Sequence, residues 1–275
     1  MMRCVTRIYS SLLILVFVAG CYGSLLTPAA VADESTVYLA ADSFTWKEFG
    51  DDGSRLLKES GTLYGAGFTY MKEFGDHMTL KPAVEMFGGS ADYDGHTQSG
   101  IPATTRVDYV GIKLEGDLGR RFRPAQNLFI EPFGGLGLRA WERNLRDGTT
   151  ADGTPTTGYR EEWFTLHARV GVRGGVDFSG RKQLFAEAGV KLPLYNENTA
   201  YLSDSTDITL HPGRKDSLFA EAGVKINNFK GSLFYDSMRF SKSNTVITTD
   251  GRFFYLNWQP KSTADIYGVK LGFVF

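Results

Sequence analysis

Residues 164–178 read FTLHARVGVRGGVDF, and they divide by parity. The even positions are Phe164, Leu166, Ala168, Val170, Val172, Val176 and Phe178, interrupted only by Gly174. The odd positions are Thr165, His167, Arg169, Gly171, Arg173, Gly175 and Asp177. Successive side chains of a strand point to opposite faces, so this is one strand with an apolar face and a charged or small face. In a soluble sandwich the charged face meets water and the apolar face a core. In a membrane barrel the apolar face meets lipid and the charged face lines the lumen.

The pattern recurs. Leu184, Ala186, Ala188, Val190, Leu192 and Leu194 alternate with a set that holds Glu187 and Lys191. Residues 218–226 alternate in the same way with Glu221 and Lys225, and both segments contain the string LFAEAGVK. Residues 130–138 set Glu131 and then Arg139 on their second face, and residues 80–86 set Lys81 and Glu85 on theirs. A charge leaving water needs a partner. The expected lumen network therefore mixes signs. Glu85, Glu131, Glu187 and Glu221 stand against Arg139, Arg169, Arg173, Lys191, Lys225 and Lys270, with Lys113, Glu115 and His167 beside them. A barrel of about eight strands is just wide enough for side chains to fill, whereas wide aqueous channels need about sixteen. The expectation is a plugged or very narrow lumen. A small pore governed by Arg169 and Arg173 is the alternative.

Strands are expected at 36–49, 61–73, 77–88, 105–119, 127–142, 160–178, 184–196, 215–227, 229–241 and 262–275. That makes about ten, an even number, each long enough for the ~9–11 residues a tilted strand needs to cross an apolar layer. Eight and twelve stay open. Short links at 73–77, 179–183 and 227–228 and a medium one at 119–127 alternate with long polar ones at 50–60, 88–104, 144–158, 196–215 and 241–262. Short turns on the periplasmic side and longer loops outside give such an alternation. Residues 253–258 are expected to extend a strand above the membrane. Tyr38, Trp46, Tyr64, Tyr70, Trp141, Trp163, Tyr195, Tyr235 and Tyr267 fall near strand ends, where aromatic girdles belong. The fold class is thus all-β: a closed antiparallel transmembrane barrel, because lipid offers no partner to an unpaired edge.

The chain ends with Tyr267, Val269, Leu271, Phe273 and Phe275 at alternate places and Gly268, Lys270, Gly272 and Val274 between them. This resembles the C-terminal strand of bacterial outer-membrane barrels, whose terminal Phe and alternating apolar residues are the assembly signal. The resemblance implies recognition by the barrel-assembly machinery, and outer-membrane lipid and lipopolysaccharide as neighbours. In pattern it covers residues 33–275 and is to the small outer-membrane β-barrel superfamily, the OmpA-like and OmpW-like barrels. The segments YDSMRFS (235–241) and QPKS (259–262) also look like the last hairpin of members of that group, which implies no activity.

The N-terminus reads as an export signal. Arg3 and Arg7 precede an apolar run from Leu12 to Ala19, Pro28 breaks it, and Ala30-Val31-Ala32 supplies small residues for a signal peptidase. Residues 1–32 are then a signal peptide and 33–275 one barrel domain in the cell outer membrane. The alternative is a lipobox, Val18-Ala19-Gly20-Cys21, with Cys21 as the lipidated first residue. The two cysteines are Cys4 and Cys21, so cleavage after Ala32 leaves neither a disulfide framework nor a thiolate metal site.

Charge and motif bound the function. A net charge of -1 without a basic run argues against a nucleic-acid partner. Four scattered histidines give no metal-ligand spacing, and no cofactor is expected. Barrel hydrolases of lipid A deacylase or phospholipase type set a base beside a serine. Here His77, His96, His167 and His211 are followed two places on by Thr79, Gln98, Arg169 and Gly213. Omptin proteases resemble a barrel with an Asp pair facing an Asp-x-His pair. Asp51-Asp52 and Asp207 with His211 depart from that spacing. The expectation is a non-enzymatic outer-membrane barrel whose long loops meet an unknown ligand, with a structural or surface-interaction role. A small passive pore is the alternative, and a barrel hydrolase of lipid A deacylase or omptin type the second.

Overall fold

A computed structural model describes residues 33–275 except 97–99, 179–180, 204–205 and 250, so the expected signal segment and the lipobox alternative at Cys21 lie outside the described residues. Ten long strands build one barrel: β1 (Glu34–Phe49), β2 (Arg55–Phe74), β3 (Met78–His96), β4 (Pro102–Arg120), β5 (Leu128–Leu145), β6 (Arg160–Phe178), β7 (Lys182–Ser203), β8 (Ser217–Ile226), β9 (Phe229–Ser241) and β10 (Lys261–Val274). Each pairs antiparallel with the next. β1 also pairs with β10, from Thr36↔Val274 to Phe49↔Lys261, which closes the sheet. Closure satisfies every strand's second row of backbone donors and acceptors. The count is ten, not eight or twelve.

Several strands outrun their expected bounds. β2 begins at Arg55 instead of 61, β3 ends at His96 instead of 88, and β7 reaches Ser203 instead of 196. The link between β1 and β2 shrinks to residues 50–54. The added lengths alternate polar residues outward with buried residues such as Leu57 and Glu59 inward. Charge on the outer face hid them from a search for apolar alternation. Residues 253–258 do not extend a barrel strand. Val246–Thr249 and Phe254–Asn257 pair with each other as a separate hairpin.

The outward face carries a belt of exposed apolar side chains, among them Leu39, Met86, Leu136, Val170, Leu233 and Leu271. At the short-turn end it is edged by Phe178, Phe229, Phe273 and Phe275, and at the other end by Tyr64, Tyr195, Tyr235 and Tyr267. Beyond those tyrosines the outward positions turn polar, as in Ser43, Thr45 and Lys47 of β1. Tyr38, Trp46, Trp141 and Trp163 do not join a girdle. They stand at inward parity and are buried, 7%, 1%, 4% and 2% exposed. Proximity to a strand end suggested a girdle, but parity decides which side a residue takes.

Candidate functional site

The interior of the barrel holds the candidate site, and a repeated local unit builds it. Gly171 of β6 leaves room for the Phe133 ring of β5, whose Cζ would lie 2.7 Å from an added Cβ. The Arg173 guanidinium sits 4.2 Å from the centroid of that ring. It reaches Glu131 at 2.9 Å and Asp117 at 3.5 Å. The same stack recurs next door. Gly189 underlies Phe219, Arg169 lies 4.2 Å over that ring, and Arg169 reaches Asp117 at 3.0 Å, Glu115 at 2.5 Å and Glu187 at 3.4 Å. A third copy runs Gly111, Phe87, Arg139 and Asp236, with Arg139 at 4.5 Å from the ring and 3.5 Å from the carboxylate. A glycine in the strand admits the ring, the ring's face attracts the cation, and the cation's donors bind carboxylates.

Lysines close the remaining gaps. Lys270 bridges to Glu221 at 2.9 Å, Lys81 to Glu187 at 2.6 Å and Lys113 to Glu85 at 3.2 Å. Tyr38 donates to Glu85 at 2.8 Å, and Lys191 pairs with Asp236. Lys225 meets Glu34 at the short-turn end. The structure thus places Glu85, Glu131, Arg139, Arg169, Arg173, Glu187, Lys191, Glu221, Lys225 and Lys270 at inward positions, each in an ion pair, in several neighbouring groups. His167 is buried with them, but its Nε2 has no hydrogen-bond partner. Two small cavities lie among these side chains. One of about 70 Å³ is lined by Tyr38, Lys81, Glu85, Lys113, Glu115 and Lys270 among others. One of about 30 Å³ is lined by Arg139, His167, Lys191 and Asp236, and it shares Lys113 and Glu115 with the first.

An aromatic cluster crosses the lumen at the level of the tyrosine girdle and just beyond it. Trp141 stacks on Trp163 at 5.3 Å, and Trp46 and Phe240 each approach Trp163 at 5.2 Å. Both buried indole donors that face the long-loop end are satisfied: Trp46 by Glu48 at 2.9 Å and Trp163 by Glu161 at 2.8 Å. Arg143, 1% exposed, binds Glu59 through two nitrogens and Glu161 at 2.9 Å, and Tyr109 also donates to Glu59. Glu48 is held by Gln259 at 2.9 Å rather than by a cation. It lies past the apolar belt, and burial pushes its carboxyl up to about 7, with Arg143 pulling down and Glu161 and Glu59 pushing further up.

Pattern reading did not find Asp117, Asp236, Glu59, Glu161 or Arg143. Asp117 only continues the inward parity of Lys113 and Glu115, so the same count carried two residues further reaches it. Asp236 shares parity with Phe234, Met238 and Phe240, a face too apolar to look luminal. Glu59 and Arg143 fall just outside the expected strands. The protease-like candidates are taken up locally: Asp51 pairs with Lys242 at 2.6 Å, Asp52 accepts from Ser54 at 2.6 Å, and His211 lies 5.7 Å from the Tyr195 ring. Among the described residues no three His, Cys, Asp or Glu side chains are grouped to hold a metal ion.

No family model and no curated protein matches the chain. Solved structures do. The outer membrane protease OmpT from Escherichia coli superposes with a TM-score of 0.61 over 92% of this chain and 98% of its own, at 9% identity. The translocator domain of the autotransporter NalP from Neisseria meningitidis matches over 97% and 96% at 13% identity, but a TM-score of 0.40 is too low to argue from. The first likeness fixes the fold, a closed barrel of the outer-membrane kind, and at this identity nothing finer.

Proposed function

We propose that this chain is an integral outer-membrane barrel without enzymatic activity, closed along its axis, that acts as a structural or surface-interaction protein through its long-loop end. The observation that carries the reading is the ion-paired lumen crossed by the packed rings of Trp46, Trp141, Trp163 and Phe240, set inside an apolar outer belt. A soluble monomer rarely exposes so large an apolar surface, whereas lipid covers it at no cost. In this reading the short turns face the periplasm, residues 1–32 direct export, and the strand ending at Phe275 is offered to the assembly machinery. Reconstitution into lipid vesicles tests it. The expected product is a compact, heat-modifiable band in vesicles that retain a trapped small sugar. Leakage of that sugar would favour the second reading, a narrow pore, for which the neighbouring cavities that share Lys113 and Glu115 in their linings would be the starting points.

A further inference from the structure

Lys47 of β1 and Lys58 of β2 stand directly opposite each other on the outer face. Like charges so placed repel and destabilise a strand pair. Neither lysine makes a hydrogen bond or ion pair with the described residues. The nearby carboxylates are engaged elsewhere. Asp94, opposite Lys58, is taken by Arg55 at 2.9 Å. Asp265, whose charge Lys47 feels, is taken by Arg239 at 2.5 Å. Arg239 and Lys47 flank Thr263 in the same cross-strand row, so the cationic strip spans four neighbouring strands.

What lies below the strip gives the occupant its shape. Between the lysines and the tyrosine girdle, the outward positions of β1 and β2 are hydroxyls, Thr45, Ser60, Ser43 and Thr62, with the Arg239-paired Asp265 of β10 beside Thr45. Below them come Tyr64 and Tyr267, then apolar residues such as Leu39, Val269 and Leu271. Read upward, this face offers acyl-chain contact, a sugar-compatible hydroxyl band and then unmatched positive charge. The opposite face differs at that height. There Glu142 and Glu162 meet Arg160, and Asp108 meets Arg146, so these cations already have carboxylate partners.

We propose that the β9–β10–β1–β2 face is a binding site for one phosphorylated glycolipid of the outer leaflet, its acyl chains on the belt and its phosphate between Lys47 and Lys58. A phosphate would turn the repulsive lysine pair into two charge-assisted contacts. The inference rests on the outer-membrane reading, and the experiment separates the two. Insertion is scored first, by heat-modifiable mobility in vesicles, and failure there would overturn both. Binding of bisphosphorylated lipid A to the folded chain in detergent micelles is then compared with binding of its dephosphorylated form. The expected result is tight binding of the phosphorylated form only. The double substitution K47A/K58A weakens it about tenfold or more, the loss expected from two charged contacts near a membrane surface. K47R/K58R retains it and shows that the face is still built. Equal binding by K47A/K58A would overturn the site. Equal competition by inorganic phosphate or by phosphatidylglycerol would overturn the glycolipid as its occupant and leave a general anion patch.

Discussion

Arg143 is the residue on which the long-loop end of the lumen depends. Among the described residues it is the one cation bound to both Glu59 and Glu161, and all three are buried. Breaking a buried pair from one side leaves uncompensated charge and costs ~3–5 kcal/mol. Arg143→Ala should therefore lower unfolding stability in detergent by about that amount, read from the urea midpoint, whereas Arg160→Ala at an exposed pair should cost less than ~1 kcal/mol. Equal effects would show that Arg143 is not enclosed. Glu48 adds a pH dependence of known sign. Its folded carboxyl titrates at about 7 against an ordinary 4.5, so the folded state holds this proton more tightly than the unfolded chain. The associated stability is full below about 4.5 and is lost as pH rises through about 7. Glu48→Gln should remove that decline and leave the variant more stable than the parent chain above pH 7. A pH series of unfolding midpoints checks it, and parallel curves would contradict it.

At the scale of the strand, parity does most of the work. Strand β6 shows it: every even residue from Phe164 to Phe178 was readable as outward and every odd one as inward, because a strand has no third choice. The same count placed the lumen charges of β5, β7 and β8. It failed where an outer position was also polar, which hid the long-loop halves of β2 and β3, and where an inner position was aromatic, which sent Trp46 and Trp163 to a girdle they do not join. The pairing of inward glycine with inward ring was not legible at all, since it links residues on different strands through register alone. Two substitutions in β6 test these faces. Val170→Arg puts a charge mid-belt and should cost ~2–4 kcal/mol in lipid. Gly171→Ala puts a Cβ 2.7 Å from the Phe133 ring and 2.6 Å from the Ala188 carbonyl oxygen. It should cost ~1–3 kcal/mol as the ring and Arg173 are displaced. Unfolding in vesicles measures both, and a neutral Val170→Arg would mean that the belt does not face lipid.

For the whole molecule, ten strands set the width, and the side chains inside set whether anything passes. Glycine–ring–arginine stacks and the lysine bridges occupy the middle of the barrel, and four aromatic side chains cross it near the long-loop end. If those rings are the seal, the pair Trp46→Ala and Trp163→Ala should turn a silent barrel into one with brief, small current steps, at some loss of stability. The most direct test is the single-channel current of the folded parent chain in a planar bilayer. A filled lumen predicts no resolved steps from protein whose insertion is verified. Stable, reproducible steps of one size would contradict it and show that the charged column conducts.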